Sequence, residues 1–167
     1  MIIRKANKGD LDSIMSMYKS CVKGMIENGI DQWDDTYPNA EVINKDLNVG
    51  TYYVMEMDGV IIGGVNNDRN QDDTYLNLDW EDKSDSFLVV HRLGVKKEFW
   101  NKKIGKDLML FTEKLVLEKG LKSIRLDTYS GNPKAMEFYR RLGYREVGTI
   151  DLKSNKEKYH CFEKNIQ

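Results

Sequence analysis

The stretch FLVVHRLGVKKEFWNKKIGKDL, residues 87–108, decides the fold. Residues 87–95 are apolar on both alternating faces except at two polar positions, a pattern that predicts a central strand covered on both sides. A basic turn, residues 96–103, follows, and the helical spacing of apolar side chains begins at residue 104. The sequence therefore predicts a buried strand, a short turn and a helix N-terminus in direct succession.

The residues before this stretch predict a strand, two helices and a β-hairpin. A strand is expected at 2–6, a helix from Leu11 to Ile26 and a shorter helix at 40–47, on apolar spacing. Asp58-Gly59 lies between two apolar runs, 51–57 and 60–65, and such a dipeptide is the strongest short hairpin signal. We interpret the acid-rich residues 66–85 as a solvated connection or an acidic lip.

The residues after it predict strands at 123–128, 144–150 and 158–165, with helices at 104–119 and 133–142. Asn132 and Pro133 are suited to the N-cap and the first position of the last helix. Hairpins that alternate with strand-helix-strand units indicate an α/β fold with a mixed sheet and helices on its faces. With 167 residues, we expect a single domain over 1–167.

Composition narrows the class of protein. The chain is 40% hydrophobic and 32% charged with a net charge of −1, which is typical of a globular protein and excludes a disordered one. It has no strongly basic footprint, so we expect neither a nucleic-acid nor a membrane partner. No apolar run approaches the roughly 20 residues of a membrane span, and no signal peptide is evident, so a cytoplasmic location is expected. The two cysteines and two histidines lack metal-ligand spacing, and no metal is expected.

The turn between strand and helix has the chemistry of a phosphate site. A helix N-terminus presents unpaired backbone N–H groups and a positive dipole end, and Gly105 allows a ligand to approach the backbone. Four lysines, at 96, 97, 102 and 103, add positive charge. A ligand with a pyrophosphate, such as coenzyme A or a nucleotide, fits this pattern, and a solvated basic turn is the alternative. Neither a Walker loop nor a Gly-x-Gly-x-x-Gly motif occurs.

Three segments carry a resemblance to a known family: VHRLGV at 90–95, KIGKDL at 103–108 and DTYSGNPKAMEFYRRLGY at 127–144. Over nearly its whole length, the chain resembles the GNAT N-acetyltransferases. The last segment is similar to the family's Asn-x-x-Ala-x-x-x-Tyr-x-x-x-Gly-Tyr/Phe signature. The family's pyrophosphate motif is usually Arg/Gln-x-x-Gly-x-Gly/Ala, and here Trp100 and Lys103 occupy its first two defined positions, so that only Gly105 matches.

The resemblance implies a GNAT-type acyl-CoA N-acyltransferase fold, with splayed central parallel strands and helices on both faces. It also implies acetyl-CoA as cosubstrate, lying between the parted strands that end near Val95 and Thr128. The residues implied in cofactor binding are Leu93, Gly94, Val95, Trp100, Asn101, Lys102, Lys103, Ile104, Gly105, Lys106, Asn132 and Tyr139.

Acetyl transfer to an amine needs a neutral amine, a stabilised oxyanion and a proton for the departing thiolate. Tyr139 matches the family's tyrosine that faces the coenzyme A sulfur, and an ordinary phenol, with a pKa of about 10, can donate a proton at neutral pH. A core aromatic is the alternative for Tyr139. For the oxyanion, the resemblance implies the backbone N–H near Val95.

His91 is our candidate for the general base, because histidine is the residue type that titrates near neutral pH. Some amine-acetylating relatives are thought to use a histidine at this strand position through a water molecule. A hydrogen-bonded structural histidine is the alternative. Three acids, Asp79, Glu81 and Glu56, are further candidates.

The resemblance implies that the acceptor groove is lined by the loop after the first helix and by the region that precedes the central strand. We expect aromatic and acidic side chains there to bind the acceptor, because such a set suits a cationic amine. These residues are Trp33, Tyr37, Tyr75, Asp79 and Trp80. The alternative is that the aromatics pin a loop and the acids keep it solvated.

The sequence thus indicates an N-acetyltransferase that transfers acetyl from acetyl-CoA to a small-molecule amine, with a cationic amine or polyamine preferred, by direct attack in a ternary complex. The rivals are an acyl-CoA-binding or sensing module without activity, a peptide N-terminal acetyltransferase and a plain nucleotide-binding domain. A homodimer is compatible with this class.

Overall fold

The computed structural model describes residues 1–153 and 156–167. The strands are β1 (Ile2–Lys5), β2 (Tyr52–Met57), β3 (Val60–Asp68), β4 (Phe87–Val95), β5 (Ser123–Tyr129), β6 (Arg145–Ile150) and β7 (Tyr159–Asn165). The helices are α1 (Leu11–Glu27), α2 (Ala40–Val49), α3 (Ile104–Glu118) and α4 (Pro133–Arg141), and single 3-10 turns lie at Lys8–Asp10, Asp73–Asn77 and Lys97–Phe99. The predicted order of helices and strands is confirmed.

The strands form one mixed sheet in the order β1-β2-β3-β4-β5-β7-β6. Most neighbours are antiparallel, and β4 pairs with β5 in parallel through Phe87–Val89 and Ser123–Arg125. A parallel pair needs a crossover connection, and helix α3 supplies it between β4 and β5. The predicted mixed α/β fold class is therefore confirmed.

The chain divides into two compact units. The first consists of residues 1–67 and 91–112, and the second of residues 68–90 and 113–167, so that β4 and α3 each contribute to both. Each unit has its own apolar core. The first core gathers the buried side of α1 with residues of α2, β2 and β3, and the second gathers aromatic side chains around β5 and β7. No helix of the described residues is long and apolar enough to cross a membrane.

Local sequence accounts for several of these elements. Asp58 and Gly59 have φ values of 52° and 78°, the left-handed pair that a tight hairpin turn requires, so the predicted β2–β3 hairpin is confirmed. Asn132 caps α4, because its side-chain oxygen accepts a hydrogen bond from the Ala135 amide at 3.2 Å. Pro133 occupies the first helical position, as predicted.

The interpretation of residues 66–85 as a solvated connection is wrong for its aromatic side chains. Tyr75 and Trp80 are only 1% and 5% exposed and pack together in the core of the second unit. The indole N–H of Trp80 donates to the Tyr75 carbonyl at 2.8 Å, so the pair forms one buried cluster. Seven acidic residues dominate the sequence pattern of the segment. The pattern therefore does not indicate that Tyr75 and Trp80 are buried.

A buried ion pair joins β4 to α2 in the first unit. The Arg92 guanidinium donates to Asp46 at 2.6 and 2.9 Å, and the two side chains are 11% and 8% exposed. Arg92 also donates to the Tyr37 hydroxyl at 3.2 Å. Burial opposes the charge of Arg92, but Tyr37 and Asp46 outweigh it and raise the pKa of the guanidinium. The Arg92 guanidinium therefore stays charged at all ordinary pH values.

Replacing Asp46 by asparagine should lower the free energy of unfolding by about 3 kcal/mol, because Arg92 would be left buried without its counter-charge. Urea denaturation measures this loss. The matched control is Glu137→Gln, which removes one charge from an exposed pair with Arg141 and should cost less than about 0.5 kcal/mol. Equal losses in the two variants would contradict a stabilising role for the buried pair.

Candidate functional site

Hydrogen bonds to α1 and to the end of β4 hold the turn that follows β4 in the first unit. The Lys97 amide donates to the Ser20 hydroxyl of α1 at 2.9 Å, and the Trp100 indole donates to the Val95 carbonyl at 2.8 Å. Trp100 also packs against α1 at Gly24, where an added Cβ would lie 2.7 Å from the indole ring. The half-buried Trp100 is thus an anchor of the turn.

The residues from Asn101 to Lys106 form what we call the amide turn. Asn101 and Lys103 have left-handed φ values of 62° and 67°, while Lys102 between them does not. Left-handed residues in a turn can direct successive N–H groups to one side, where they bind an anion. The predicted basic turn therefore has two residues in a conformation that suits anion binding.

The amide turn leads directly into α3. The first hydrogen bond of the helix runs from the Asp107 amide to the Lys103 carbonyl at 2.9 Å. The first amides of a helix, here those of Ile104, Gly105 and Lys106, have no acceptor within the helix itself. Lys102 and Lys103 are exposed beside them. This combination of N-terminal amides, helix dipole and ammonium groups is able to hold a phosphate or a pyrophosphate.

Lys103→Gly should raise the free energy of unfolding by about 0.5–1 kcal/mol, because a left-handed φ costs a side chain roughly 1–2 kcal/mol and costs glycine much less. Lys102→Gly is the matched control and should be neutral or destabilising, since Lys102 does not have a positive φ. Denaturant unfolding of both variants measures the difference. Stabilisation of both variants alike would show that charge removal, and not backbone strain, is the cause.

Two buried tyrosines fix the main chain of β4 just before the turn. The Tyr18 hydroxyl of α1 donates to the Arg92 carbonyl, and the Tyr52 hydroxyl donates to Tyr18 at 2.7 Å. Burial raises the pKa of both phenols, so both keep their protons. Gly94 is required here, because a Cβ would lie 2.7 Å from the Tyr18 ring. Residues Leu93–Val95 are therefore held in one backbone conformation.

The main chain of Val95 has a protein partner as well. Burial raises the pKa of the Cys21 thiol to about 11, and a hydrogen bond from the Val95 main chain offsets part of that rise. Sulfur is a weak acceptor, so this bond is easily replaced. If the Val95 N–H stabilises the oxyanion, as the resemblance implies, it must first break its hydrogen bond to the Cys21 sulfur.

Tyr139 of α4 lies in an aromatic environment in the second unit. Its side chain is 7% exposed, and its ring lies 5.1 Å from that of Phe138 and 6.0 Å from those of Tyr144 and Phe162. Burial, and secondarily the charge of Asp127, raise the pKa of its phenol above the ordinary value. Tyr139 is thus a neutral phenol with a proton to give.

The four candidate general bases have different surroundings. His91 is half-buried in β4 and has a partner of its own. The three acids are engaged by cations: Glu56 with Arg4 at 2.8 Å, Asp79 with Lys83 at 2.5 Å and Glu81 with Arg145 at 3.4 Å. A carboxylate held by a cation is a weaker base, and the lysine pair lowers the pKa of Asp79. His91 is the stronger candidate of the four.

The residues predicted to bind the acceptor do not share one environment. Trp33 is 9% exposed and packs edge-on against Tyr18, with ring centroids 5.7 Å apart. Tyr37 is half-buried and held by Arg92, and the side chain of Asp79 is 96% exposed. Tyr75 and Trp80 are buried, as described above. The alternative interpretation, that the aromatics pin their loops, fits Trp33, Tyr75 and Trp80.

The sequence analysis missed Asp127 of β5. Its carboxylate is half-buried and accepts a hydrogen bond from the Tyr75 phenol at 2.5 Å. The available signal was a carboxylate inside the strand sequence SIRLDTY, where the other side chains are mostly buried. No group of three or more His, Cys, Asp or Glu side chains in the described ranges is arranged to hold a metal ion.

Comparison with known proteins identifies the family. The family model described as Acetyltransferase (GNAT) family matches residues 12–144. Since this match covers most of the chain, the protein belongs to the GNAT acetyltransferase family. The predicted family, enzyme class and GNAT-type fold are confirmed.

Three similar proteins extend this finding. The chain is 23% identical over 159 residues to the uncharacterized N-acetyltransferase YesJ of Bacillus subtilis, covering 94% of this chain and 86% of YesJ. It is 39% identical over 58 residues to the spermidine N(1)-acetyltransferase of Thermoplasma acidophilum, covering 35% of this chain and 36% of that protein. The structure of the PaiA N-acetyltransferase of Thermoplasma acidophilum, in complex with coenzyme A, has a TM-score of 0.71 at 20% identity and covers 98% of each chain.

Proposed function

We propose that residues 1–167 act as one domain that transfers the acetyl group of acetyl-CoA to a primary amine of a small cationic molecule, such as a polyamine. The amine attacks directly in a ternary complex. The observation that carries this proposal is the amide turn, whose two left-handed residues lead into the N-terminal amides of α3, a setting that suits a pyrophosphate in a chain of the GNAT family.

The cosubstrate fits the residues of the first unit. The amides from Asn101 to Lys106 bind the pyrophosphate, and the ammonium of Lys103 adds a charge-assisted contact. The main chain of Leu93–Val95 hydrogen-bonds the pantetheine amides as an added strand would. Trp100 contributes by fixing the turn, because its indole N–H is used within the protein. Asn132 caps α4 and contacts the cofactor from that position.

The reaction requires few groups. The neutral amine nitrogen attacks the thioester carbonyl carbon, a C–N bond forms, the C–S bond breaks, and the coenzyme A thiolate leaves. Tyr139 donates its proton to that thiolate, since its buried phenol is neutral well into the alkaline range. His91, through a water molecule, takes the proton that the amine loses. Neither cysteine has the context of a nucleophile, because both are buried and burial raises the pKa of each thiol.

The relative named spermidine N(1)-acetyltransferase supports a cationic acceptor, because 58 residues of this chain align with it at 39% identity. The half-buried phenol of Tyr37 and the exposed carboxylate of Asp79 are the previously predicted acceptor residues that remain accessible. Trp33, Tyr75 and Trp80 support the surrounding structure through their packing.

The proposal is tested by calorimetric titration with acetyl-CoA, followed by a thiol-release screen over spermidine, diamines, monoamines and peptides with free N-termini. Acetyl-CoA binding with thiol release on small amines supports it. Binding without turnover on any amine favours the sensing module, and turnover on peptides alone favours a peptide N-terminal acetyltransferase. Binding of ATP at the expense of acetyl-CoA would indicate a nucleotide-binding domain.

Tyr139→Phe should lower kcat by about 100-fold or more with little change in the KM for acetyl-CoA, because only the proton donor is removed. Because the pKa of Tyr139 is raised, the phenol keeps its proton as the pH is raised to 10. The wild-type rate should therefore not decrease over pH 6–10 through loss of this proton. Steady-state kinetics over pH 6–10 measure both effects. The matched control is Tyr144→Phe, another buried phenol, which donates to Glu113 at 3.4 Å and should leave kcat unchanged. Equal kcat values for the two variants would remove Tyr139 from the mechanism.

His91→Gln should lower kcat/KM by about 100-fold or more, because glutamine keeps the hydrogen-bonding shape but cannot take the proton that the amine loses. Rate profiles over pH 6–9, with melting temperatures of both proteins, separate this loss from unfolding. Full turnover of the variant across that range would discard His91 as the base.

A further inference from the structure

One face of α1 contacts the residues that lead into the amide turn. Ser20, Gly24 and Glu27 are four and three positions apart in α1, so they lie on the same face of the helix. The Ser20 hydroxyl accepts a hydrogen bond from the Lys97 amide, and the Glu27 carboxylate pairs with the Lys97 ammonium. Gly24 packs against Trp100. All of these residues belong to the first unit.

Ser20 binds two consecutive residues of the 3-10 turn Lys97–Phe99. Its oxygen accepts from the Lys97 amide at 2.9 Å, and its O–H donates to the Glu98 carboxylate at 3.0 Å. A hydroxyl is able to form both bonds at once, because it has one donor and two acceptor lone pairs. Alanine at this position would remove both bonds and leave the helix backbone unchanged.

Gly24 allows α1 to approach the turn closely. A Cβ at this position would lie 2.7 Å from the Trp100 indole and 3.0 Å from Cγ of Lys97, which is shorter than ordinary van der Waals contact. The indole is rigid, so it would have to move as a whole. Its N–H donates to the Val95 carbonyl at 2.8 Å, and the next residue, Asn101, begins the amide turn. A displaced indole would therefore move the amide turn as well.

The backbone of the amide turn needs support from its surroundings. Asn101 and Lys103 both have left-handed φ values, and residues in that conformation cost free energy and persist only where neighbouring groups fix them. A turn that is already ordered when the ligand arrives loses less conformational entropy on binding. Contacts that order the turn therefore act on the affinity for the ligand and not on the chemical step.

We infer that Ser20 and Gly24 are positioning residues for acetyl-CoA: they hold residues 97–100 on α1 and so keep the amide turn in the conformation that binds the pyrophosphate. The inference rests on the proposed function and adds two residues of α1 to it. Both are remote in sequence from the pyrophosphate motif, whose first position here is Trp100. Helix α1 thus supplies the order that the motif residues of this chain do not supply alone.

Calorimetric titration of the full chain with acetyl-CoA tests the inference. Ser20→Ala should raise the Kd by about threefold to tenfold, because the hydrogen bond that holds the turn is lost. Ser20→Thr keeps the hydroxyl and should bind acetyl-CoA within about twofold of the wild type. Gly24→Ala should raise the Kd by about tenfold or more, because its Cβ displaces the indole.

The matched control is Ser16→Ala, the same substitution at an exposed serine one turn earlier in α1, which should leave the Kd unchanged. Melting temperatures report folding. A second readout separates positioning of the amide turn from a general structural effect. S-acetylpantetheine is a thioester without the pyrophosphate. With the best amine of the screen as acceptor, Ser20→Ala and Gly24→Ala should lower kcat/KM for acetyl-CoA and leave kcat/KM for S-acetylpantetheine unchanged.

The outcomes separate the two proposals. A wild-type protein that binds acetyl-CoA, together with folded Ser20→Ala and Gly24→Ala variants of unchanged Kd, overturns the inference alone. Equal effects of Ser20→Ala and Ser16→Ala also overturn it, as do equal losses with acetyl-CoA and S-acetylpantetheine, because the effect would then not act through the pyrophosphate. A wild-type protein that binds no acetyl-CoA overturns the proposed function and the inference with it.

Discussion

The left-handed backbone at Asn101 and Lys103 is the constraint on which the candidate site depends. It leads the chain into α3, whose first amides, those of Ile104, Gly105 and Lys106, have no acceptor within the helix itself. A side chain at a left-handed position costs free energy, and such strain persists only where the surroundings fix it. Trp100 provides that support, since its indole bonds Val95 and packs on α1.

The elements of the fold were predictable because their signals are local. Asp58-Gly59 specifies a hairpin, and Asn132-Pro133 starts a helix, whatever the rest of the chain does. The burial of Tyr75 and Trp80 was not predictable, because their partners come from β5 and β7, far along the chain. Asp127 was missed for the same reason: its contact with Tyr75, a residue 52 positions earlier in the chain, cannot be seen in the local sequence.

The pyrophosphate motif was also predictable only in part. The sequence places Trp100 and Lys103 where the family usually has a polar or basic residue and a glycine, and that comparison predicts a difference without saying what replaces the usual contacts. In the structure, Trp100 packs against α1 and so fixes the turn. Lys103 has a left-handed φ, a conformation that glycine adopts more readily.

The start of α3 also gives the protein a built-in reporter. An N–H group in the first turn of a helix exchanges its hydrogen with deuterated solvent far faster than one in the buried middle of the helix. The amides of Ile104, Gly105 and Lys106 should therefore label early, while Leu108 and Met109, fully buried in the same helix, stay protected. A ligand that fills the amide turn would slow exchange at the turn and at these first helical positions, so its arrival can be followed without any knowledge of the chemistry that comes afterwards.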